Sequence, residues 1–443
     1  RGRRSARLGW APPWGAALRG TATSAGPSPP EGCLRILLLG GAGRIGTAAA
    51  MHLIQQSPCR LELLLAGRDE ARGAAAIEEV RAGTAGTGEL SGAAEVSFHK
   101  LDWTISGALR SFLEGAHVDA VLHTAGPFDE DPAAGVLEAA ISARVPLYVD
   151  VADPMEYLDA AQALAARARE AGTMAVVSAG AFPGLSNVLA LECARRLDSA
   201  GGEARVEDLE FAYFTAGLGG SGPVNLLITN LGFGTPVPVF RSGKYSPQMI
   251  AGSQSRRVKF FLDEQDPAFE AVGERDVWSW PFPEAATVSR HLGISGNSCT
   301  GMGTAPGIWN AVLVALVAAV PRELWRARWF SEGLAWFSLP MVWLTDKFVR
   351  ETHAMRVQVT LSDGRECVAV QAHQSFRRCV GQSAAEFLLD LIERRGRSAE
   401  EGVPWRPGVW LPEEIADDEA WRPRLVRRLT STEGTISCGF RTS

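Results

Sequence analysis

Among 443 residues there are only four tyrosines, seven histidines and seven cysteines, and none falls into a spacing that carries chemistry by itself. Tyr148, Tyr157, Tyr213 and Tyr245 include no Tyr-x-x-x-Lys pair, which excludes the tyrosine–lysine arrangement of short-chain dehydrogenases. The histidines show no H-x-x-x-H and the cysteines no C-x-x-C, so no metal site is expected. An odd, scattered set of thiols argues against a disulfide framework and for a reducing compartment. There is no G-x-x-x-x-G-K-[ST] phosphate loop and no G-x-S-x-G elbow. Nucleic acid is excluded as the main partner, because the net charge is −6 and binding to phosphates requires a concentrated basic surface. No apolar run reaches the roughly 20 residues needed to cross a bilayer, so no transmembrane helix is expected.

What is present is the composition of a globular protein, 46% hydrophobic and 21% charged, long enough for two or three domains. The first thirty residues stand apart. They hold Arg1, Arg3, Arg4, Arg7 and Arg19, no acid, and the cluster Pro27-Ser28-Pro29-Pro30. Residues 1–31 therefore read as an organelle transit leader, or as a tail without an address.

From residue 32 to 187, short apolar runs alternate with helical patterns. Strands are expected at 34–39, 61–66, 96–101, 119–123, 147–150 and 174–177, and helices at 47–56, 70–81, 133–143 and 155–170. This rhythm predicts an α/β Rossmann domain with a doubly wound parallel sheet. After Asn187 the pattern changes. The alternation at 207–215 and the hairpin 355–361/366–372 around Ser362-Asp363-Gly364 predict a second α+β domain, residues 188–380, with a mainly antiparallel sheet. Residues 381–443 read as a C-terminal helical segment and tail, with an amphipathic helix over 383–394. Two stretches, 308–320 and 334–345, are apolar and rich in tryptophan. They read as buried helices of the second domain, or as a surface dipping into a membrane interface through Trp325, Trp329, Trp336 and Trp343.

The strongest local signal is Gly41-Ala42-Gly43-Arg44-Ile45-Gly46, because it follows a strand and opens a helix. Gly41 permits the turn, Gly43 lets a pyrophosphate approach the backbone, and Gly46 lets helix and strand pack closely. The helix N-terminus, at Arg44 and Ile45, supplies amides and a positive dipole end. The second strand ends in Gly67-Arg68, where an NAD enzyme usually carries an acid; Arg68 can pair with a 2′-phosphate, which favours NADP over NAD. Asp102 ends the third strand near the expected adenine position, or caps a helix. Ala125, Gly126 and Pro127 end the fourth strand on the nicotinamide side. His123, Asp150, Asp153 and Tyr157 lie on or just after strand ends and are the candidate proton donors, each with a structural alternative. Pro183, Gly184, Ser186 and Asn187 lie in a loop at the same sheet edge and are substrate candidates, or a capped turn into the next helix.

These residues, together with Gly40, Val136-Leu137-Glu138-Ala139-Ala140, Tyr148-Val149-Asp150 and Gly180, resemble the saccharopine dehydrogenase family over roughly residues 33–190. Tyr213–Gly222 and Gly303-Thr304-Ala305-Pro306 look like its plant and algal plastid branch. The resemblance implies an NADP-binding domain followed by a substrate and dimerisation domain, hence a homodimer. With the Arg-rich leader it implies a chloroplast address, with mitochondrion or cytoplasm as alternatives. Enzymes of the family act on the C–N bond joining an amino acid to a carbonyl compound, so an oxidoreductase acting on a C–N bond or carbonyl of an amino-acid-related small molecule is expected. The competing expectation is a non-catalytic NADP-binding scaffold or redox sensor, free or peripheral to a membrane.

Overall fold

A computed structural model describes residues 33–85, 94–105, 107–198, 201, 204–217, 223–233, 235–401 and 405–443. The expected leader and part of the Tyr213–Gly222 segment lie outside them. Six strands, β1 (Cys33–Leu39), β2 (Arg60–Gly67), β3 (Glu95–Lys100), β4 (Ala120–His123), β5 (Leu147–Asp150) and β6 (Met174–Val176), alternate with helices. They pair in parallel in the order β6-β5-β4-β1-β2-β3. All seven residues of β1 are buried, as expected for a strand covered by helices on both faces. The chain order reverses between β1 and β4, and their carboxyl ends form the crevice where open α/β sheets bind ligands.

The second sheet holds β7 (Val206–Ala216) at its centre. A two-residue hairpin, β8 (Phe240–Arg241) and β9 (Lys244–Tyr245), stands apart from it. β10 (Ser255–Lys259), β11 (Glu274–Ser279) and β12 (Ser298–Ala305) lie on one side of β7, and β13 (Thr352–Leu361) and β14 (Glu366–His373) on the other. Only the β12–β7 pair is parallel, so the sheet is mainly antiparallel, as the alternation at 207–215 and the hairpin predicted.

The C-terminal segment departs from expectation. It contains β15 (Gly408–Trp410), which joins β6 as the seventh parallel strand of the first sheet, and β16 (Thr435–Thr442), which joins β14 in the second. The chain thus stitches both domains together after leaving each once. β15 is too short to show periodicity. β16 carries Ile436, Cys438 and Phe440 at every second position, a legible strand signal. The amphipathic helix is also longer than expected, Phe376–Glu401, and packs along the helix Arg44–Gln56. At Gly381 the two helices touch backbone to backbone, since a Cβ there would sit 2.5 Å from the Ile45 carbonyl oxygen.

Of the two tryptophan-rich stretches, one forms the helix Gly307–Ala319 and the other lies within the helix Arg328–Asp346. No helix among the described residues is long and apolar enough to cross a membrane. Trp325 is buried against Phe233 and Phe330. Helix Arg328–Asp346 is not buried all round: Ala335 and Leu339 face inward, while Trp329, Trp336, Phe337, Trp343 and Leu344 are exposed.

Candidate functional site

The glycine turn connects β1 to its helix through backbone contacts that leave no room for side chains. Gly40 takes φ +78 and lies against Thr124 and Ala125, where a Cβ would fall 2.8 Å from the Ala125 nitrogen. The sequence pattern gave the tight-turn role to Gly41; the left-handed residue is Gly40, and Gly41 instead lies close against Leu38 and Leu65. Gly46 packs on Gly40 and Gly41, with a Cβ position 2.3 Å from the Gly40 carbonyl oxygen. Gly43 differs: a Cβ would meet only the Gly40 carbonyl oxygen, at 3.0 Å. It is the N-cap of helix Arg44–Gln56, with no side chain capping the helix and no acid in its first turn. The amides following Gly43 therefore face an open side with their positive dipole end uncompensated, as a diphosphate requires.

At the end of β2, Asp69 accepts the backbone N–H groups of Ala71 (2.9 Å) and Arg72 (3.1 Å) and so caps the helix Glu70–Thr84. Its Oδ1 is thereby engaged by the helix start. Arg68 beside it is exposed and makes no ion pair among the described residues. Asp102 does not cap a helix. Its Oδ1 accepts the Thr104 hydroxyl (2.7 Å) and backbone N–H (3.1 Å), which together with nearby Arg68 hold the carboxyl below its ordinary range. At the end of β4, Thr124 bonds twice to the Leu39 carbonyl, which binds the Ala125-Gly126-Pro127 loop to the end of β1.

Three of the four candidate proton donors are structural. His123 is fully buried between Trp103 and Phe128, and its Nδ1 accepts the Ala125 N–H at 3.3 Å. Burial pushes its pKa down to about 3, so the ring stays neutral and shapes the loop. Asp150 is fully buried; its Oδ1 accepts the Ala152 (3.1 Å) and Ser178 (2.8 Å) N–H groups, and its Oδ2 accepts the Tyr157 hydroxyl (2.6 Å). Burial raises it to about 6 despite these bonds. The Tyr157 hydroxyl also meets Tyr148 at 3.1 Å, completing a network that fastens β5 to the loops around it. Asp153 is the exception. It is only partly covered, and its pKa is pushed up to about 7 by desolvation and then by the neighbouring Asp129 carboxylate. Of the four it alone combines access with a pKa near the operating range of a general acid.

The substrate-candidate loop is an interdomain junction. Gly184 takes φ +131 over Gly180, and its N–H donates to Asn187 Oδ1 at 2.9 Å. Ser186 and Asn187 are buried inside the first turn of helix Leu185–Asp198, not capping it. Asn187 Nδ2 donates to Glu413 at 2.7 Å, and Ser186 Oγ donates to Asn187 Oδ1 at 3.3 Å. Neither side chain is offered to a ligand. Pro183 follows Phe182, whose ring stacks on Tyr213 at 4.2 Å between centroids.

Sequence reasoning missed the polar residues that meet this loop from the second domain. The Tyr213 hydroxyl donates to Glu284 in a short hydrogen bond. Glu284 is fully buried, and desolvation raises its pKa to about 8, with Glu413 and Asp153 adding to the effect. These residues lie 71 and more positions apart, so no local motif could announce them. The sign of the linkage follows. Glu284 holds its proton to about pH 8 when folded and releases it near its ordinary 4.5 when unfolded, so its contribution to stability is complete below about 4.5 and lost as pH rises towards 8. Thermal unfolding should show a melting temperature that falls by several degrees between about pH 5 and pH 8, and Glu284→Gln should flatten much of that slope. An unchanged slope in the variant would refute the assignment.

The described residues contain no cluster of His, Cys, Asp or Glu suited to a metal. The site is a crevice at the carboxyl edge of a parallel sheet, built for a dinucleotide and closed behind by a second domain. Residues 36–176 match the family model of the saccharopine dehydrogenase NADP-binding domain. Across 93% of this chain and 100% of the other, the fold matches apo saccharopine dehydrogenase (L-Glu forming) from Saccharomyces cerevisiae, with a TM-score of 0.56 and 13% identity. A 3-ketoreductase from Actinomadura kijaniata, solved with NADP, covers 90% of this chain and 95% of its own at TM-score 0.31 and 13% identity, a much looser superposition. No curated protein sequence matches the chain significantly. The N-terminal domain is thus an NADP-binding domain, and the chain as a whole shares the fold of that saccharopine dehydrogenase.

Proposed function

We propose that the protein is an NADP-dependent oxidoreductase acting on the C–N bond or carbonyl of an amino-acid-related metabolite. The observation that carries this is the open side of Gly43 beside an exposed Arg68 whose neighbour Asp69 is already used as a cap. Diphosphate binds the amides at residues 44–46, and Arg68 takes the 2′-phosphate. The cofactor supplies hydride, and the chain positions the substrate and manages the proton. Asp153 is the proton donor on this reading, because desolvation, and then the Asp129 carboxylate, raise its pKa to about 7. Two acids at this edge favour a substrate carrying an amine or imine nitrogen.

Arg68→Glu should weaken NADPH binding by about 10- to 100-fold, the value of one or two charge-assisted hydrogen bonds, and leave NADH binding within about twofold. Nicotinamide fluorescence titration reads both, and equal losses for the two cofactors would remove Arg68 from the 2′-phosphate. NADPH oxidation across a panel of imines and oxo acids tests the reaction class, and Asp153→Asn should lower kcat with little change in cofactor affinity.

A second reading, a non-catalytic NADP-binding scaffold at a lipid surface, is favoured by one observation. Trp329, Trp336 and Trp343 recur every seven residues, as do Phe337 and Leu344, so the exposed residues form a stripe on one helix face. Trp at the edge of an apolar face suits a membrane interface. Liposome flotation, with Trp336→Glu/Phe337→Glu as control, separates this from burial of the stripe in a homodimer, which would appear as a halved mass in the variant by light scattering. A plastid address rests on the Arg-rich leader, and import into isolated chloroplasts tests it.

A further inference from the structure

Two turns beyond the glycine turn, helix Arg44–Gln56 borders a different site. His52, about 12 Å along the helix axis from Arg44, lines a cavity of about 830 Å³ together with Glu386 and Glu393 of helix Phe376–Glu401 and Arg424, Arg427 and Arg428 of helix Arg422–Thr430. Arg397, Ser431 and Thr432 complete the polar wall. The volume is that of a small-molecule site, and none of its residues belongs to the dinucleotide crevice.

The charges inside are unequal. Glu386 accepts from Arg428 at 2.6 Å and bonds His52 Nε2, also at 2.6 Å. Glu393 serves three guanidinium groups: Arg428 at 3.2 Å, Arg397 at 3.4 Å, and Arg424. The third acid at the rim, Glu433, pairs with Arg378 at 3.0 Å. Arg427 has no carboxylate within reach among the described residues. Arg424, Arg427 and Arg428, each with five N–H donors, thus face two engaged carboxylates, leaving about one positive charge and many donors over. His52 is 3% exposed, and its Nε2 holds Glu386 in place beside Arg428.

We propose that this cavity binds a small dianion of the phosphate-monoester class, held by Arg427 and the outward donors of Arg424 and Arg428, with Ser431 and Thr432 at its edge. Glu386 and Glu393 hold the guanidinium groups in a fixed fork, so recognition costs little reordering. The site lies at the end of the same helix whose start grips the cofactor, and it is occupied independently of NADP.

The test uses the full chain saturated with NADPH, so that the dinucleotide crevice is filled, and titrates inorganic phosphate by calorimetry against KCl at equal ionic strength. Saturable phosphate binding absent with KCl is expected. Arg427→Ala, which breaks no ion pair, should weaken it by about tenfold or more while the NADPH fluorescence titration stays unchanged; that control shows the variant is folded. Phosphate heat matched by KCl, or identical phosphate binding in Arg427→Ala, overturns the proposal.

Discussion

Gly43→Asp is expected to abolish useful NADPH binding, weakening it by about 100-fold or more (about 2.7 kcal/mol), with little loss of stability. Gly43 differs from its glycine neighbours in backbone conformation and in the space around it. Its φ of −86 and ψ of 164 are open to any L-residue, and its Cβ position meets only one carbonyl oxygen, at 3.0 Å. Aspartate is moreover a favoured N-cap, and would turn its carboxylate onto the very amides that the diphosphate needs. The helix gains a cap while the cofactor meets a like charge. Gly46→Ala makes the contrast, because its Cβ would lie 2.3 Å from a backbone oxygen that cannot step aside. That variant should lose stability together with binding. If Gly43→Asp bound NADPH as the parent does, the amides at residues 44–46 would not be the phosphate site.

Asp150→Ala should destabilise the protein by about 3–5 kcal/mol, because it strands three buried donors at once. The Ala152 and Ser178 amides and the Tyr157 hydroxyl would all lose their acceptor in a dry site. Asp150→Asn keeps one carbonyl oxygen for the two amides and should cost clearly less. Denaturant unfolding of both variants reads the difference. A loss below about 1 kcal/mol for alanine would mean that water replaces the carboxylate, and would reopen a catalytic role for Asp150.

The parallel sheet was legible because five of its first six strands are short apolar runs; the edge strand β3, Glu95–Lys100, shows only alternation, and the helix Ala108–Ala116 after it went unread. The glycine turn was legible because close backbone packing at Gly41 and Gly46 admits one residue type. What escaped was non-local. β15 is three residues long and is recruited to the first sheet by pairing alone. Asp150 and His123 sit at strand ends, where sequence position points equally to chemistry and to structure. Only burial and partners decide between the two, and here they decide for structure. Ser186 and Asn187 looked like ligand-facing loop residues, yet their partners lie at Glu413 and within their own helical turn. The acid at Glu284 and the guanidinium groups around His52 come together from three or more distant segments. Their character follows from desolvation and charge balance, which a linear pattern does not carry.

The central claim is that the helix-start amides at residues 44–46, with Arg68, hold NADP. Titration of the purified chain with NADPH and NADH, followed by nicotinamide fluorescence, tests it most directly. The account predicts saturable NADPH binding, with NADH weaker by about tenfold or more, one charge-assisted contact's worth. No response to either dinucleotide at millimolar concentration, or tighter binding of NADH, would contradict it.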